Sequence, residues 1–111
     1  MLNHREKRRY LAIMYDENGI YRPVELHESI GTRFKELFGI FQVHSAMLKL
    51  YDSEFSNIMI VRCKLKYLDF FLASLVLSDP SVTVVSMSGT LKRLRKNVSK
   101  MGFRNIKNIR C

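Results

Sequence analysis

With 111 residues, 47% of them apolar and 26% charged, the chain is long enough for one domain and its core. It is too short for two domains and too apolar for a disordered tail. Two cysteines, Cys63 and Cys111, cannot build a disulfide-dense scaffold and are expected to stay reduced, and the formal charge of +9 calls for an anionic partner.

Arg8 to Tyr15 (RRYLAIMY) predicts a first strand, ended by turn chemistry at Asp16-Glu17-Asn18-Gly19. Pro23 suits the first position of a helix. Leu26, Ile30, Phe34, Leu37 and Phe38 then recur at helical spacing, and Gly39 is a plausible stop. Ile40 to Ala46 fits no pattern cleanly, a second short helix being one reading. Met47 to Tyr51 and Asn57 to Leu65 predict a hairpin of two strands. The second is continuously apolar through Val61, as expected of a strand covered on both faces. Tyr67 to Leu77 is apolar almost all round and predicts a helix, stopped by Asp79-Pro80. Its most apolar run, Phe70 to Leu77, includes Ser74 and is far too short to span a bilayer. Val82 to Met87 predicts a fourth strand, and Ser88-Gly89-Thr90 a turn that caps a last helix over about 90–101. The order is that of a ferredoxin-like, RRM-like βαββαβ sandwich of α+β class. It implies a four-stranded antiparallel sheet with two helices on one face and an extra basic C-terminal helix. The expected domain is 1–102, with a basic tail at 103–111. The opening MLNHREKRRY lacks the apolar run of a secretory signal.

Charge is concentrated at the ends. Residues 1–9 carry four basic side chains against Glu6, residues 10–89 carry seven basic and nine acidic, and residues 90–111 carry eight basic and no acid. Self-repulsion of clustered cations costs stability, and a polyanion offsets it; nucleic acid fits best, because binding releases its counterions. In the last helix, Leu91, Leu94, Val98 and Met101 share one stripe at about 100° per residue. Lys92, Arg93, Arg95, Lys96 and Lys100 occupy the remaining surface, and Arg and Lys are the side chains that bind phosphates. A membrane-surface helix would want aromatic residues in that stripe, which has none before Phe103. Ser88, Gly89 and Thr90 stand where a helix N-terminus could receive a phosphate, or where Ser88 or Thr90 acts only as an N-cap. Lys7, Arg8 and Arg9 form a basic arm entering the first strand. Tyr10 beside them reads as a core residue, with base stacking as the alternative. The third strand, NIMIVRCKLK, has no aromatic and no RNP1 pattern, which argues against classical stacking across the sheet. Its apolar face, with Ile58, Ile60 and Arg62, is a candidate protein interface.

Nothing in the sequence assembles a catalytic centre. His4, His27 and His44 are widely spaced, neither cysteine has a zinc-ligand companion, and P-loop, GxSxG and paired-carboxylate motifs are absent.

Several short motifs, in this order, resemble the ribonuclease P protein component 2 family. They are Arg8-Arg9-Tyr10-Leu11, Leu37-Phe38-Gly39, Lys49-Leu50-Tyr51, Ile60-Val61-Arg62-Cys63 and Ser88-Gly89-Thr90-Leu91-Lys92. The resemblance implies a non-catalytic protein subunit of a ribonucleoprotein that removes the 5′ leader of precursor tRNA. Catalysis would belong to the RNA and its Mg²⁺, with no cofactor in this chain. The implied partners are ribonuclease P RNA, precursor tRNA within the complex, and a TIM-barrel-like thirty-kilodalton subunit, two copies of each protein being able to associate as a 2:2 assembly in archaeal members. Eukaryotic members also serve ribonuclease MRP. The lack of an acidic C-terminal extension favours an archaeal member, expected to be cytoplasmic, or one from a compact eukaryote, expected to be nuclear or nucleolar. Two alternatives remain: a general RNA-binding or ribosome-associated module, and a regulatory or enzymatic domain for an anionic metabolite.

Overall fold

The computed structural model describes residues 7–16, 22–78 and 82–102. Strand β1 (Arg8–Met14) leads to helices α1 (Pro23–Phe38) and α2 (Ile40–Ala46), then to strands β2 (Lys49–Tyr51) and β3 (Ile58–Lys64). A single 3₁₀ turn precedes helix α3 (Leu68–Ser78), and strand β4 (Thr83–Ser88) precedes helix α4 (Leu91–Ser99). The strands form one antiparallel sheet in the order β2-β3-β1-β4. This is the ferredoxin-like arrangement expected from the sequence. The turn predicted at Glu17 to Gly19, the stop at Asp79-Pro80 and the tail 103–111 lie outside the described residues.

Most expected elements differ from the observed ones only at their ends, and local chemistry explains several of the shifts. Met47 takes a left-handed backbone (φ 49°) to close α2, so β2 begins at Lys49 rather than at Met47. Gly39, at φ 96°, makes the break between α1 and α2 in a conformation that side chains disfavour. The segment 40–46 is indeed a short helix. Leu37, expected on the α1 core stripe, is 42% exposed; Leu26, Ile30 and Phe34 carry the buried stripe, and Phe38 stacks on Phe70 at 4.6 Å between centroids. Ser74 is tolerated inside apolar α3 because its hydroxyl donates to the Phe70 carbonyl at 2.8 Å.

Strand alternation divides the core between the two faces. Leu11 and Ile13 of β1, with Met59, Val61 and Cys63 of β3, pack under α1, α2 and α3. Ala12, Ile58 and Ile60 point to the other side, where Leu94 and Val98 of α4 cover them together with Phe55. A bulge in β4 opposite Ala12 and Ile13 inserts Val85, which lets Val84 join the first cluster and Val85 the second. The continuous apolar run of β3 thus has its reason: both faces are covered, one by three helices and one by α4. No helix among the described residues is long and apolar enough to cross a membrane.

Candidate nucleic-acid interface

α4 is built to dock by one side and show charge on the other. Thr90 caps it, its hydroxyl accepting from the Arg93 amide at 3.2 Å. The Ser88 hydroxyl accepts from the Thr90 amide at 3.4 Å, and Ser88 itself is buried. Both hydroxyls therefore serve the turn, in which Gly89 and Thr90 are exposed. Leu94 and Val98 are fully buried, a burial worth about 1.5–3 kcal/mol each. Met101, expected on the same stripe, is 48% exposed because the helix ends at Ser99. Lys92, Arg93, Lys96 and Lys100 are exposed, and among the described residues none of them enters an ion pair.

Among the described residues, Arg95 has a structural contact that the other cations of α4 lack. It is half-buried, and its guanidinium donates to the Asp52 carbonyl at 3.0 Å, tying α4 to the β2–β3 loop. Its Nε is buried without a partner. This residue helps to dock the helix through one of its guanidinium N–H groups.

The antiparallel register gathers the other cations. β1 begins where β3 and β4 end, so Arg8 pairs with Lys64 and Tyr10 with both Arg62 and Ser88. Lys49, at the start of β2, pairs with Arg62. Arg9 lies over the turn before α4: a Cβ at Gly89 would sit 3.6 Å from its Nη1. The N-terminal arm and the cap of α4, far apart in sequence, are therefore one surface. Lys7, Lys64 and Lys66 line a shallow cavity of about 280 Å³ with Leu65 at the same end of the sheet. Sequence reasoning named Lys7, Arg8 and Arg9 but missed Lys49, Lys64 and Lys66, whose convergence depends on register.

Ile58 and Ile60, expected at a protein interface, are 2% and 0% exposed beneath α4 and belong to the core. Arg62 remains half-exposed, its Nη1 donating to the Tyr51 hydroxyl at 3.2 Å. His27 and His44 meet at a cleft of about 400 Å³ between α1 and α2. Burial lowers the His27 pKa, against a smaller opposing effect of Glu28. Among the described residues, no group of three or more His, Cys, Asp or Glu is placed to hold a metal.

The fold and its basic pole define a small ferredoxin-like protein with cations collected at one end of the sheet. Comparison with protein families matches the Rpp14/Pop5 family over residues 9–99, which runs from β1 to the end of α4. The chain belongs to that family, and membership implies a protein subunit of ribonuclease P. Curated protein sequences give no match.

Proposed function

We propose that this subunit binds the RNA of ribonuclease P and stabilises its active fold during removal of the 5′ leader from precursor tRNA. The chemistry stays with the RNA and its Mg²⁺. The observation that carries the reading is the joining of two basic segments at one pole, with Arg9 resting on Gly89. Lys7 and Arg8 extend that pole on one side, and Lys92, Arg93 and Lys96 on the other. Cations held close together lower the Mg²⁺ needed to fold a polyanion, because they replace condensed counterions. Among the described residues, no convergent set of acid, base and nucleophile supports a reaction of the chain's own. Its protein partner is proposed to be the TIM-barrel-like thirty-kilodalton subunit.

Reconstitution tests this. Adding the chain and that companion subunit to the RNA is expected to raise precursor-tRNA cleavage at low Mg²⁺. Unchanged cleavage with and without the chain refutes the reading. In competition, ribonuclease P RNA is expected to outcompete unrelated RNA of equal length; equal binding would favour a general RNA-binding module.

A further inference from the structure

We propose that Tyr10 and Tyr51, with Arg62 and Lys49 around them, form a platform on which an unpaired RNA base stacks. The inference rests on the RNA-binding reading above and adds where a base, rather than the backbone, is held. Cross-strand pairing aligns Lys49, Arg62, Tyr10 and Ser88 in one row across all four strands. Residues paired across a ladder share a face, and this face is the one that carries α4. The helix lies chiefly along β4 and β1 and reaches β3 at Ile58 and Ile60; Tyr10 and Tyr51 are half-buried against that cluster, Arg62 is half-exposed and Lys49 exposed.

Tyr10 and Tyr51 come from strands that flank β3, yet their rings meet over it, with centroids 5.7 Å apart and planes tilted by 60°. Arg62, between them in the sheet, donates to the Tyr51 hydroxyl at 3.2 Å. Lys49 is exposed and holds its ammonium 5.1 Å from the Tyr51 ring centroid. Arg95, bonded to the Asp52 carbonyl, bounds the platform on the α4 side.

Each component answers a separate need of the ligand. Aromatic rings stack on any base, because every base has a π-face. Arginine adds a flat cation and lysine a mobile one, suited to the phosphates on either side of that base. The row contains no acidic side chain to repel them. A lid over Ile60 would need the rings but not the cations, and a purely electrostatic site would need the cations but not the rings. The absence of aromatics from β3 therefore does not remove stacking from this sheet; β2 supplies the second ring.

The test uses the full chain with a short unstructured RNA and a perfect duplex RNA of equal length, whose bases are already stacked. Tyr51→Leu is expected to weaken single-strand binding about tenfold and to leave duplex binding unchanged, while Tyr51→Phe binds like the parent. In the unaltered chain, thiouridine-substituted single strands are expected to photo-cross-link to Tyr10 or Tyr51. Equal losses on both RNAs with a lowered melting temperature would make the tyrosine structural and overturn the proposal. So would an unaffected Leu variant with cross-links confined to α4; if Arg93→Gln/Lys96→Gln still weakened both RNAs, the RNA-binding reading would survive that result. Protection of the tyrosines by a protein subunit but not by RNA would reassign the platform to a protein contact. Failure of the unaltered chain to bind either RNA would remove both readings together.

Discussion

On the face that carries α1, α2 and α3, alternate residues of β1 and β3 meet Leu26, Ile30, Phe34, Phe71 and Leu75, and Ser74 is the one buried polar residue described there. On the opposite face a nine-residue helix inserts Leu94 and Val98 over a smaller cluster, and charge surrounds the contact. The first face is a packed core whose residues are chosen for volume. The second needs only enough apolar contact to hold α4 in place, which leaves the helix's remaining surface for cations. The difference teaches that stability and the proposed RNA contacts are largely carried by different residues and are separable by substitution.

The largest effects should fall on the first face. Phe71→Ala is expected to cost about 3–5 kcal/mol in urea unfolding, the usual cost of a large aromatic cavity. RNA affinity, measured where the variant remains folded, should not change. Leu94→Ala should cost about 2–5 kcal/mol, with amide exchange accelerating in α4 before α1 and α3. Equal acceleration in all three helices would mean that the two faces unfold as one unit.

A smaller effect should separate the cations. Arg95→Gln is expected to lose about 1 kcal/mol of stability with its bond to the Asp52 carbonyl. Arg93→Gln/Lys96→Gln should change stability by less than about 0.5 kcal/mol per site, since both side chains are exposed. The same pair should flatten the log–log salt dependence of single-strand RNA binding by about 0.7 for each phosphate that is no longer neutralised.

The smallest effects are in pH. Burial pushes the Cys63 thiol up to about 12, so its neutral form is favoured in the folded chain. Its contribution is complete below the unfolded value near 9 and is lost as pH rises toward 12, so stability should fall over that window. His27 has the opposite sign: its lowered pKa makes stability decline as pH falls below 6.5. Thermal melts of Cys63→Ala and His27→Gln should each lose the corresponding slope.

Much of this molecule is legible in the sequence. The apolar and aromatic run of β1 with the turn residues after it, the unbroken apolar run of β3 and the stripe of α4 give the element order, and the order gives the sheet. The stripe of a helix says that it docks, not where; only the assembled sheet shows that α4 covers Ile58 and Ile60. Arg95 lies off the apolar stripe, and its partner carbonyl, Asp52, is 43 residues away. Arg9 and Gly89 are separated by most of the chain and meet because β1 pairs with the end of β4. Tyr10 and Tyr51 meet across an intervening strand, which no local pattern encodes.

Titration of isotopically labelled protein with its ribonuclease P RNA, followed by amide chemical shifts, tests the central claim most directly. Changes concentrated at Arg8 to Tyr10, Ser88 to Thr90 and α4 are the expected result. Changes centred on α1 and α2, with the basic pole silent, would place the RNA on the opposite face and exclude the basic pole as its site.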